Sequence, residues 1–251
     1  IMHRENCVAQ ISTVGECKIY LEDFMPYDLM LEESNDFDKR IKNAMSFYSW
    51  CASRMIPPDR TYAKEILNSI GASQSVTDRE RAQIALSYHC LSLLDVFWVK
   101  EENEKIRFED INLFAHSLSN ALVDIALRGH QMTVTNAHLL ANDLSTGGLY
   151  PKAWVRKEDG FYLYKDGGRD AVEREVLASK ICRCFDCHQV LYEQGMFENE
   201  PVSISKIMTS QRYSLVTYAA YDVYFTHHDW NTLDKVLELE AASYNMINIL
   251  E

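Results

Sequence analysis

A chain of 251 residues with 47% hydrophobic content suits one large domain or two small ones around a real core. Its formal net charge of −12 argues against direct nucleic-acid binding, which needs a basic face. No run of about 18 apolar residues offers a membrane span. Residues 1–11 carry Arg4 and Glu5 and are too polar for a signal peptide. Seven cysteines, odd in number and without framework spacing, read as reduced thiols of a cytoplasmic protein.

In chain order, Ile1–Ile11 and Glu16–Leu21 read as a hairpin around Ser12–Gly15. Helical spacing runs over Phe37–Ser53, with Ile41, Ala44, Met45 and Tyr48 on one face. Pro57 and Pro58 break it, and Asp59 is placed to cap a helix through Gly71. Thr77 with Glu80 makes a capping box for a short helix to Tyr88. Leu93–Lys100 reads as a strand and Ser119–Arg128 as a helix closed by Gly129. A boundary is expected near Asn136–Asn142.

The stretch from Asp143 to Phe185 is the most informative. A Ser-Thr-Gly-Gly turn enters a strand, Lys152–Lys157. The polar turn Glu158-Asp159-Gly160 leads to a second strand ending in Lys165. A glycine linker then delivers a helix with Glu173 and Glu175 in its early turns. Glycine lets backbone N–H groups approach phosphates closely. A lysine held on a strand can pair with phosphate oxygens, and a helix glutamate can orient that lysine. Beyond it, Pro201–Met208 and Ser214–Tyr218 read as strands, and a last helix starts at Asn231 or Thr232.

Two further clusters read as structural. Cys182, Cys184, Cys187 and His188 suggest zinc, but on a helix Cys182 and Cys184 point to different faces, so core or helix-end cysteines fit better. His227, His228 and Asp229 read as a polar loop. The five aromatic residues in Tyr213–Phe225 read as core between lobes.

The words Asp143–Gly148 (DLSTGG), KAWV, YLYK and Glu175–Ile181 (EVLASKI) resemble the HipA-like serine/threonine kinases of bacteria. IMHRENCVAQI resembles that family's first strand pair, FYSWCASRMIPPDR its helix and Ile-Pro loop, and LSLLDVFWVK with FEDINLF its next strand pair. The resemblance implies an α+β fold. Residues 1–142 would form a mixed N-terminal module, 143–230 a nucleotide-binding lobe with an antiparallel sheet and one main helix, and 231–251 the first helix of a catalytic lobe. It implies that Lys165 contacts ATP phosphates with Glu175 as partner and Glu173 as runner-up. Ser145, Thr146, Gly147 and Gly148 would form the phosphate loop, with Ser145 or Thr146 open to autophosphorylation. Ile207 and Met208 would line the hinge.

The family's catalytic and Mg²⁺-binding aspartates lie in a word like Asn-x-Asp-Arg-His, which is absent from this sequence. The chain opens inside an expected strand and closes inside an expected helix, so a catalytic lobe is expected further along a longer parent protein, with Mg²⁺ depending on it. A protein substrate or an antitoxin is the implied partner. The other reading is a stand-alone kinase-like module that docks a partner without catalysis.

Overall fold

The computed structural model describes residues 1–69, 77–115, 145, 147–185, 189–227 and 234. They form a mixed fold of helices and antiparallel sheets. The expected boundary at 136–142, the helix at 119–128 and nearly all of the last helix lie outside these residues.

The N-terminal strands are short. β1 (Met2–His3), β2 (Asn6–Cys7), β3 (Ala9–Ile11) and β4 (Cys17–Ile19) replace the expected single hairpin. Arg4 breaks the first strand: its φ of 53° is left-handed, and its N–H donates to the Val96 carbonyl at 3.1 Å. Only β3 and β4 form the expected hairpin.

Helix α1 (Phe37–Ser53) has the predicted bounds, and the Asp36 carboxylate accepts from the Lys39 N–H at 3.0 Å as its cap. Its buried face, however, is not the predicted one. Ile41 and Met45 are exposed, while Asn43, Trp50, Cys51 and Ala52 are buried. Asn43 decides this orientation. Its amide donates to the carbonyls of Gly15 and Glu32 at 3.1 and 2.8 Å, and its oxygen accepts from the Glu32 N–H at 2.9 Å. A fully bonded polar group belongs inside, and apolar spacing alone does not reveal it.

Helix α2 (Ala63–Ser69) starts later than expected, and a turn rather than a cap occupies Asp59. Helix α3 (Asp78–Ser87) has the predicted Thr77–Glu80 capping box. The expected strand Leu93–Lys100 shortens to β5 (Phe97–Trp98), which pairs with β1. The FEDINLF segment is a helical turn, α4 (Phe108–Ile111), where a strand was expected.

The second half holds a four-stranded antiparallel sheet of order β6-β7-β9-β8. β6 (Lys152–Lys157) and β7 (Gly160–Lys165) flank the expected tight turn. Helix α5 (Arg169–Cys182) follows. Gly168, at φ 82°, supplies the left-handed entry residue that an L side chain resists. β8 (Tyr192–Phe197) and β9 (Glu200–Lys206) complete the sheet. The sequence reading missed β8, whose turn uses Glu198 and Asn199 at φ 49° and 68°.

Ser214–Thr217 is not a strand. It runs as loop, with Leu215 N–H donating to the Leu94 carbonyl at 2.7 Å, into helix α6 (Tyr218–His227). His227 therefore ends a helix rather than sitting in a polar loop, and His228 and Asp229 lie outside the described residues. Tyr213 is exposed, contrary to its expected place in the core. Tyr224 instead stacks on Tyr27 with ring centroids 4.6 Å apart.

The four-stranded sheet packs on the N-terminal half. One buried cluster joins Ala153, Tyr164 and Val202 of the sheet to Val8, Trp50, Cys51 and Ile56. Another joins Phe161 to Leu93, Trp98, Phe108 and Leu113. Among the described residues no helix is long and apolar enough to cross a membrane.

Candidate functional site

The site grows from strand register. Residues directly opposite in an antiparallel pair share a face of the sheet. Lys152 of β6 stands opposite Lys165 of β7, Lys165 opposite Ser203 of β9, and Ser203 opposite Gln194 of β8. One polar row thus crosses the whole sheet, and α5 covers part of it.

Lys165 is the centre of the row. Its ammonium donates to Glu175 Oε1 at 3.0 Å and to the Tyr192 hydroxyl at 2.6 Å, and it lies 4.3 Å from the Tyr192 ring centroid. Burial works against its charge, but the hydrogen bonds it donates to Tyr192 and Glu175 outweigh that and hold its pKa above the ordinary lysine value. The other Glu175 oxygen accepts from the buried Ser203 hydroxyl. Glu175, not Glu173, is therefore the partner, and Glu173 is exposed on the same helix.

Lys152 is the unexpected member. Only 8% exposed, it donates from Nζ to the Gly147 carbonyl. Burial first, then the nearby charges of Arg60 and Lys165, push its pKa down to about 8. Arg60 is itself buried and donates to the Lys152 carbonyl. Lys152 therefore lies within reach of the charges of Arg60, Lys165 and Glu175.

The glycine loop closes over this cluster. Gly148 has φ +95°, a backbone conformation that an L side chain resists, and it lies against the Lys152 amine. Gly147 and Gly148 are exposed. Ser145 is buried, its Oγ 2.6 Å from Ser92 Oγ. Thr146 lies outside the described residues. Ile207 extends the sheet by donating its N–H to the Phe161 carbonyl at 2.9 Å and is half-buried, while Met208 is exposed.

The cluster formed around the Lys165 and Lys152 ammonium groups suits an anion such as a polyphosphate. It does not fit a metal. Among the described residues no group of three His, Cys, Asp or Glu side chains could hold one. Cys182 ends α5 and Cys184 follows it exposed, while Cys187 and His188 lie outside the described residues.

Reading the sequence missed Lys152, Arg60, Tyr192 and Ser203. A signal for Lys152 was present: the two-residue turn at Glu158-Asp159 sets the register that brings it opposite Lys165. Comparison with models of known protein families, with curated proteins and with solved structures finds no match to this chain.

Proposed function

We propose that the sheet and α5 form a nucleotide-binding lobe that holds the polyphosphate of ATP, as in the HipA-like serine/threonine kinases that the sequence resembles. The observation that carries this reading is the strand lysine paired to a helix glutamate, Lys165 to Glu175 at 3.0 Å, beside the buried Lys152. A Lys–Glu pair between a strand and the following helix is the arrangement with which protein kinases orient a phosphate-binding ammonium. Lys165, Lys152 and the Gly147–Gly148 backbone would hold the phosphates, and Ile207 and Met208 would border the base. ATP would supply the transferable phosphoryl group. Mg²⁺ would need carboxylates beyond those described here.

The word Asn-x-Asp-Arg-His is absent, so this chain is expected to bind nucleotide without transferring phosphate. A cytoplasmic protein substrate or antitoxin would be the partner of the complete kinase. Titration of ATP into the 251-residue chain by calorimetry tests the reading, with Lys165→Ala as control. Binding that disappears in the variant supports it, and a wild-type chain that binds no ATP overturns it.

A docking module without nucleotide is the second reading. The exposed row Phe37, Ile41 and Met45 on α1, spaced to share one helical face, favours it. Failure of ATP binding would bring it forward.

A further inference from the structure

We propose that Tyr192 touches the bound phosphates itself, as a second hydrogen-bond donor beside Lys165. This deepens the nucleotide reading and rests on it. The argument starts from proton bookkeeping. A lysine ammonium has three N–H donors and no acceptor, whereas a phenol has one O–H and can also accept. In the 2.6 Å contact between Lys165 Nζ and the Tyr192 hydroxyl, lysine must therefore donate. The phenolic hydrogen is left to point elsewhere. No acceptor for it occurs among the described residues.

The environment makes that hydrogen a strong donor toward an anion. The ammonium withdraws charge from the phenol oxygen, and hydrogen bonds in series polarise one another. The tyrosine is also fixed. Its ring faces the ammonium at 4.3 Å, and its backbone N–H donates to the buried Ser179 hydroxyl of α5 at 2.8 Å. Lys165 spends two N–H groups on Glu175 and Tyr192, which leaves its third. The pair thus offers one N–H and one O–H from a half-buried position on the face of the sheet that carries the polar row. Glu175 is already held by Lys165 and Ser203, so the ligand class that matches these donors is an anion with several oxygens. The triphosphate of a nucleotide fits.

The alternative is that Tyr192 merely props Lys165. Tyr192→Phe separates the two roles, because it keeps the ring against the ammonium and removes only the hydroxyl. The experiment measures binding of ATP, inorganic tripolyphosphate and adenosine to the full chain and to Tyr192→Phe near pH 7. It also follows the tyrosine ultraviolet difference signal on adding tripolyphosphate. The expected result is about a tenfold loss of affinity for both phosphate probes, one charge-assisted hydrogen bond's worth. Adenosine affinity stays unchanged, and the tyrosine signal disappears in the variant. Equal tripolyphosphate affinity in wild type and Tyr192→Phe, with wild type binding well, would overturn the contact while sparing the nucleotide reading. Equal losses for ATP and adenosine would likewise assign Tyr192 a propping role and overturn the contact. A wild-type chain that binds neither phosphate probe would overturn both.

Discussion

Lys152 and Lys165 stand directly opposite each other across β6 and β7, on the same face of the sheet. Like charges opposite in a sheet are destabilising. One of the two, Lys152, is also buried. A pair so placed is stabilised by an anion between or above the two amines, and among the described residues Glu175 is the carboxylate that pairs with Lys165 and acts on Lys152.

The pH dependence follows from Lys152. Its folded pKa is about 8, below the 10.5 of a solvated lysine. Between those values the unfolded chain binds the extra proton, so this group's contribution to stability rises with pH across about 8 to 10.5. Anion affinity moves the other way, because Lys152 loses its charge as pH rises through about 8 while Lys165, held above the ordinary lysine value, keeps its own. Thermal unfolding and ATP titration at pH 7 and pH 9 check both slopes. Lys152→Met should flatten both.

The Lys165–Glu175 pair should matter to the ligand far more than to the fold. Both side chains are partly exposed, at 19% and 32%, so the net contribution of their attraction to stability is expected to be about 1 kcal/mol or less. Lys165→Ala should lower the unfolding free energy by no more than that, yet weaken ATP at least about tenfold. Glu175→Gln should give a smaller affinity loss by releasing the ammonium from its position. Chemical denaturation beside calorimetric titration distinguishes the two effects.

Arg54 and Asp95 should behave in the opposite way. Their side chains are 8% and 14% exposed, joined by paired contacts of 2.8 and 2.7 Å, and Arg54 also donates to the carbonyls of Cys90 and Phe97. Asp95→Ala removes the hydrogen-bonded counter-charge of a buried guanidinium, leaving it the weaker influence of Asp28, and should cost about 3 kcal/mol. The loss should appear as a large shift in denaturation midpoint.

Ser92 ties the N-terminal half to the glycine loop through its 2.6 Å contact with Ser145, and its oxygen also accepts from the Leu94 N–H at 2.9 Å. Ser92→Ala should cost about 1 kcal/mol and speed proteolysis near Gly147–Tyr150. Unchanged cleavage there would show that the loop is held by other contacts.

Local chemistry was readable from the residues alone. The ends of α1, the Thr77–Glu80 capping box and the β6–β7 hairpin all depend on spacings of a few residues, where periodicity and turn geometry act directly, whereas the pairing of Lys165 with Glu175 was expected from the family resemblance. Tertiary contacts decided the rest. Apolar spacing put Ile41 and Met45 inside, but a buried Asn43 with its carbonyl partners turned α1 the other way. Leu93–Lys100 looked extended throughout, yet only the two residues facing β1 found a partner strand. The site itself joins Arg60 to Lys152 and Tyr192 to Lys165 across long separations in sequence. No local pattern encodes such contacts, because they exist only once the sheet has brought its strands into register and packed them against the N-terminal half.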